Sequence, residues 1–175
     1  MRKPVFIIGV AALILLFGLN VFSWGSKFEE KSIYITPQIG LNSWAIPFGA
    51  HVEYGLKKKI GIGIGTMFWI WSEELWTHKV INPTVDVAYH FDVKVENLDM
   101  YTGAGLGVIS YSWKWKGTDI FVINPTYTSG IYFFPFIGGR YYFSPKTAFN
   151  LRIGGILGNW GGFGTSIGIS FVLPH

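Results

Sequence analysis

The sequence contains no cysteine. That excludes a disulfide framework, a thiolate metal site and a lipoprotein acylation site. Charge is scarce: Asp, Glu, Lys and Arg make up 14% of the residues, against roughly a quarter in a typical soluble domain. Beyond the first twenty residues, glycine or a polar residue interrupts every apolar stretch. The body of the chain therefore holds no spanning helix, which needs about 20 apolar residues. What it does hold is 50% hydrophobic residues, 18% aromatics and 23 glycines in 175 residues. So much glycine disfavours a helical bundle, and the length points to one domain.

The first residues read as a secretory signal. Met1-Arg2-Lys3 is basic, Val5 to Leu19 is apolar, and Asn20 ends the run. The run is short for a spanning anchor and suits a signal-peptide core. Val21-Phe22-Ser23 offers a cleavage site after Ser23, with Gly25 as the second choice. The expected organisation is a signal peptide over 1–23, a lead-in over 24–31 and a barrel over 32–173. Arg2 and Lys3 belong to the signal, leaving twelve of the fourteen basic residues against ten acidic ones. They form no basic stripe, so nucleic acid is not an expected partner. The run Lys57-Lys58-Lys59 reads as a solvated turn.

Alternation and turn residues divide the remainder into eight expected strands. They are 32–41, 46–55, 60–71, 80–91, 98–111, 130–143, 147–157 and 163–173. Most exceed the usual strand length of about six residues and match the roughly ten a tilted strand needs to cross a bilayer. The charges give the decisive sign. His51, Glu53, Asp86, His90, Asp99, Arg140 and Arg152 each fall in the class opposite the apolar residues of their own strand. Apolar residues outside and charges inside describe a barrel in lipid. A soluble, lipocalin-like barrel would reverse the two classes. In the sixth strand both faces are aromatic, and Arg140 alone sets the phase.

The glycines fit an eight-stranded lumen, which is just wide enough for side chains. Gly61, Gly63, Gly65, Gly103, Gly105 and Gly107 share the inward class, clearing space for large neighbours. The connections 56–59, 92–97 and 144–146 are short and polar, as on a periplasmic side; 72–79 and 112–129 are longer, as on an outer side. The outward apolar class ends near Ile70 and Val108, giving way to Ser72 and Glu74 on one strand and Ser110, Ser112, Lys114 and Lys116 on the other. Trp44, Trp69, Trp71, Trp76, Trp113, Trp115 and Trp160 cluster at that level, as an aromatic girdle would.

The last strand carries Ser166, Gly168, Phe171 and Leu173 at the spacing of a barrel-assembly signal. With the leader and the eight strands, this resembles the small eight-stranded bacterial outer-membrane barrels of OmpA/OmpX type, a porin-like superfamily. The pattern departs from that family where Leu173 replaces the commoner aromatic and Pro174-His175 follow. The resemblance covers about residues 32–173. It implies an outer-membrane location, insertion by the barrel-assembly machinery, a lipid partner and a monomer. It implies no particular activity.

The inward Glu53, Asp86 and Asp99 against Arg140 and Arg152, with His51 and His90, suggest a charge network filling the lumen. The leading expectation is a non-enzymatic barrel with a side-chain-filled polar interior, acting structurally or through its outer loops. A narrow channel for small or apolar solutes is the alternative, and a lipid-modifying enzyme the third reading. No nucleophile–base–orienter set is evident: His51 and Glu53 lack a serine partner, and His90 and Asp92 flank a turn. His78 beside Glu73 and Glu74 is a weak metal pattern, and neither metal nor cofactor is expected. Trp76, Trp113, Lys114, Trp115 and Lys116 are the candidate outer-loop contacts, with lipopolysaccharide phosphates as the ligand chemistry.

Overall fold

A computed structural model of the chain describes residues 27–41, 46–74, 76–115, 126–157 and 162–173. The expected signal peptide, Trp44, Lys116 and Trp160 lie outside the described residues. The described residues form eight strands: β1 (Ile33–Leu41), β2 (Phe48–Lys57), β3 (Ile60–Ser72), β4 (Trp76–Phe91), β5 (Leu98–Trp115), β6 (Thr126–Ser144), β7 (Thr147–Ile156) and β8 (Gly162–Leu173). Each pairs antiparallel with its neighbours in sequence, and β1 with β8 closes the barrel. Closure leaves no edge strand in the barrel, a requirement in hydrocarbon, where bare backbone groups find no water.

Alternation sets the two faces. In β4, Val80, Asn82, Asp86, Ala88 and His90 are buried, while Ile81, Val85, Val87, Tyr89 and Phe91 are exposed. In β6, Tyr132, Phe134, Phe136, Arg140 and Tyr142 face inward, while Ile131, Phe133, Ile137, Tyr141 and Phe143 face outward. The same outward belt continues through Ile62, Ile64, Leu106, Phe149 and Phe171. An apolar surface this extensive belongs against hydrocarbon rather than water.

Three strands run further than alternation of apolar residues suggests. β4 begins at Trp76 rather than 80, β5 continues to Trp115 rather than 111, and β6 begins at Thr126 rather than 130. Polar residues now occupy the outward class, but the ladder continues: Thr77 lies opposite Lys114 and Lys79 opposite Ser112. Backbone pairing needs no lipid, so it outlasts the apolar belt. Trp76, Trp113, Lys114 and Trp115 therefore sit on strands rather than in loops.

The end of the barrel with short turns is closed from within. Phe28 precedes β1 and is buried, its ring stacked on His90 at 3.5 Å and 10° and on Tyr34 at 5.1 Å. The Lys31 amide donates to the Gly55 carbonyl at 2.6 Å, and the Glu29 amide to the Tyr34 hydroxyl at 2.7 Å. Lys31 turns the segment inward with φ 66°. Position 55 must be glycine there, because a Cβ would lie 2.2 Å from the Glu29 carbonyl oxygen. Phe28, Tyr34, Tyr142, Ala148 and Val172 form one apolar cluster across this end. Outside it, Lys59 pairs with Asp92 and bridges two turns; that hydrogen bond holds the ammonium above its ordinary pKa.

Candidate functional site

The lumen is built in layers. Above the Phe28 cluster, Glu53 on β2, His90 on β4, Asp99 on β5 and Arg140 on β6 meet, each at most 1% exposed. The β5–β6 register puts Asp99 opposite Arg140. Arg140 pairs with Glu53, and its Nη1 lies 3.5 Å from Asp99. His90 Nδ1 is 2.8 Å from Asp99 Oδ1, and Nε2 is 2.8 Å from Glu53 Oε1. Ionised carboxylates only accept hydrogen bonds, so the arrangement suits a ring that donates from both nitrogens, an imidazolium. Two cations then match two carboxylates, the balance buried charge requires. The Arg140 guanidinium also lies over the rings of Tyr34 at 4.6 Å and Tyr101 at 5.1 Å.

A second group lies nearer the loop end. Asp86 on β4 accepts from Arg152 Nη2 on β7 at 2.9 Å and lies 3.0 Å from His51 Nε2 on β2. The Tyr101 hydroxyl donates to Asn150 at 2.8 Å, Asn150 donates to Ser170 at 3.3 Å, and Ser170 shares a 2.7 Å bond with Thr36. The seven ionisable residues thus form two sets, one around Arg140 and one around Asp86.

Glycine makes the room. Glu53 and His51 lie opposite Gly63 and Gly65 on β3, and Phe136, Phe134 and Tyr132 lie opposite Gly103, Gly105 and Gly107 on β5. A Cβ on Gly61 would meet the Glu53 carboxylate, and one on Gly63 would meet both His51 and Asp86. Phe136, Phe134 and Tyr132 reach across their own glycine partners, while Glu53 and His51 reach Gly61 and Gly63, two residues along β3 from theirs.

The loop-end half of the lumen differs from the polar interior expected throughout. Tyr132, Phe134, Phe136, Val80 and Ile109 form an apolar cluster there, with Trp69 and Trp71 packed against it. These two tryptophans line the lumen and are not part of a lipid-facing girdle. The filling also stops, and a cavity of about 670 Å³ remains above Arg152. The aromatic wall continues to the rim, where Trp71 stacks on His78 at 4.8 Å and Tyr111 lies 5.2 Å from Trp113. Trp76 and Trp113 border a small hollow with His78 and Tyr111. Lys114 is exposed on the outer face of the same strand. His78 Nε2 lies 3.7 Å from Glu73. Among the described residues, no His, Asp and Glu group is arranged to hold a metal ion. His90 and Asp92 are not brought together: one is in the lumen, the other pairs with Lys59.

In the search of solved structures, the chain is similar to the N-terminal β-barrel domain of Pseudomonas aeruginosa OprF. The TM-score is 0.64 at 17% identity, over 82% of this chain and 98% of that one. The fold is that of the small eight-stranded outer-membrane barrels. The chain is also similar to the attachment invasion locus protein Ail of Yersinia pestis, with TM-score 0.59, 13% identity and coverage of 83% and 100%. The outer-membrane protein OprG of Pseudomonas aeruginosa gives TM-score 0.58, 10% identity and coverage of 86% and 100%. Ail has also been solved with the heparin analogue sucrose octasulfate. No protein-family model and no curated protein matches the chain.

Within this barrel the residues of the assembly pattern sit on the closing strand. Ser166 and Gly168 belong to the inward class of β8, while Phe171 and Leu173 are exposed on the outer face opposite Ile35 and Ile33 of β1. Phe28 carried a signal that alternation ignores: it is a lone aromatic in the charged run Lys27-Phe28-Glu29-Glu30-Lys31.

Proposed function

We propose that this chain is a bacterial outer-membrane barrel that neither conducts nor catalyses and that acts through its loop-end surface. A signal peptide over 1–23 delivers it, and the barrel-assembly machinery reads Ser166, Gly168, Phe171 and Leu173. The observation that carries the reading is the closed turn end. A solute would have to pass the Arg140 set and then the Phe28 cluster, breaking buried ion pairs on the way. In planar bilayers the reconstituted barrel gives no stable conductance steps; reproducible open-channel steps would sink this reading.

The surface chemistry lies on the outer face of the β4–β5 extension. Lys79 and Lys114 are both exposed there, and neither has an ion-pair partner among the described residues. Cations near the headgroup level suit the phosphates of lipopolysaccharide. Ail, a barrel of the same fold, was solved with a polyanionic saccharide analogue. Replacing Lys114 and Lys116 by alanine weakens lipopolysaccharide binding about thirtyfold at low salt, from ~1 kcal/mol per lysine. Adding Lys79→Ala weakens it further. Unchanged binding in a sedimentation assay removes the site.

A further inference from the structure

The cavity in the loop-end half of the lumen is unlike the packed layers beneath it. Its volume of about 670 Å³ lies within the usual range for small-molecule sites. Trp69, Ile109, Phe134, Phe136 and Ile156 are among its walls. Such walls without a polar group would accept any apolar guest, but among the described residues that line this cavity there is one cation. Arg152 lies there, with Ser166 opposite it in the β7–β8 register and also lining the cavity.

Arg152 is placed differently from Arg140. The Arg140 side chain is 1% exposed, whereas that of Arg152 is 13% exposed. Among the described residues, Arg152 makes one hydrogen bond, through Nη2 to Asp86. Its guanidinium carbon rests 3.5 Å from the Phe136 ring centroid and 5.4 Å from that of Phe134. The aromatic faces fix the plane of the fork, and Asp86 takes one of its nitrogens. Nε and Nη1 keep their donors, and neither is buried without a partner as the Arg140 Nε and Nη1 are. Nε and Nη1 share no edge of the guanidinium, so each donates singly, and a cation with donors to spare suits a carboxylate.

We propose that this half of the lumen binds a compact apolar carboxylate, with its head on Arg152 and Ser166 and its hydrocarbon against the aromatic wall. The chain length is on the order of ten carbons, set by a cavity of ordinary ligand size. The site lies inside the barrel and is separate from the lysines on the outer face, so either can fail alone.

Gly164 supplies a test that leaves the barrel intact. It lines the cavity on β8, and a Cβ there meets no atom within 4 Å. Gly164→Phe therefore fills the cavity without displacing backbone. The barrel is placed in lipid nanodiscs and titrated with decanoate by calorimetry, with empty nanodiscs subtracted. The wild type shows saturable binding. Gly164→Phe abolishes it, Arg152→Gln weakens it at least tenfold, and 1-decanol binds at least tenfold more weakly than decanoate. Heat-modifiable migration checks that each variant is folded; if Arg152→Gln fails that check, the decanol arm alone decides the head group. No saturable binding by the wild type, or full binding by Gly164→Phe, overturns the site. Decanol binding as tightly as decanoate overturns the carboxylate assignment.

Discussion

Replacing Arg140 by alanine costs the barrel about 3–5 kcal/mol of stability, the range for breaking a buried ion pair by removing one partner. The loss does not come from one contact. Arg140 pairs with Glu53 and faces Asp99, and all three are buried. Without it, two carboxylates share a dry site with the single cation of His90, at like-charge repulsion and unpaired burial. The methylenes and guanidinium that packed on Tyr34 and Tyr101 are lost as well. Arg140→Lys retains the charge but not the fork, so it recovers only part of the loss. Urea unfolding of the barrel from lipid vesicles measures the series. A loss under about 1 kcal/mol for Arg140→Ala would show that the cluster is hydrated and not buried.

The double variant Glu53→Gln/Arg140→Ala separates charge balance from packing. Removing both members leaves Asp99 with His90, one negative and one positive group 2.8 Å apart. The double variant is therefore more stable than Arg140→Ala alone, by about 1–2 kcal/mol, within the coupling seen for residues that share one network. Equal stability would assign the loss to packing on the tyrosines.

Much of this architecture is legible in the alternation of apolar and charged residues. Asp86 and His90 among Val85, Val87 and Tyr89 fix the phase of β4 without any structure. Alternation says which face a side chain takes, but not which partner it meets. That Arg140 joins Glu53 and Asp99, while Arg152 joins Asp86, depends on register around the closed sheet. Register is a property of the whole barrel. Strand ends near the loops are hidden for another reason: the apolar signal tracks lipid, and the ladder of Thr77 with Lys114 extends beyond it.

The tryptophans show two signals in conflict. Their level along the strands suits an interfacial girdle. Their parity does not: Trp69 and Trp71 share the class of Gly61, Gly63 and Gly65, and Trp113 shares that of Gly103, Gly105 and Gly107. Parity prevails because an antiparallel ladder leaves a side chain no choice of face between bulges. The register shifts of β3 against β2 lie at the turn end, far from Trp69. On β3 and β5 the glycines thus identify the lumen face along the strand's whole length, aromatic residues included.

The same glycines give the second large effect. Gly105→Ala destabilises by about 3 kcal/mol, the upper part of the range for overpacking. Its Cβ would lie 2.4 Å from the Val85 carbonyl oxygen and 2.6 Å from the Phe134 ring, so the β4 and β5 backbones must part. Gly107→Ala has a different obstacle. Its three nearest contacts, at 2.3–2.5 Å, all belong to the Tyr132 side chain, which also bonds Asn82. A side chain can be shortened and a carbonyl cannot. In a Tyr132→Leu background, Gly107→Ala therefore costs under about 1 kcal/mol, while in a Phe134→Leu background Gly105→Ala keeps most of its cost. Double-mutant cycles from urea unfolding give the two coupling energies: about 2 kcal/mol for the 107–132 pair and near zero for the 105–134 pair. Equal couplings would mean that the aromatic rings alone, and not the approach of the strands, keep this column glycine.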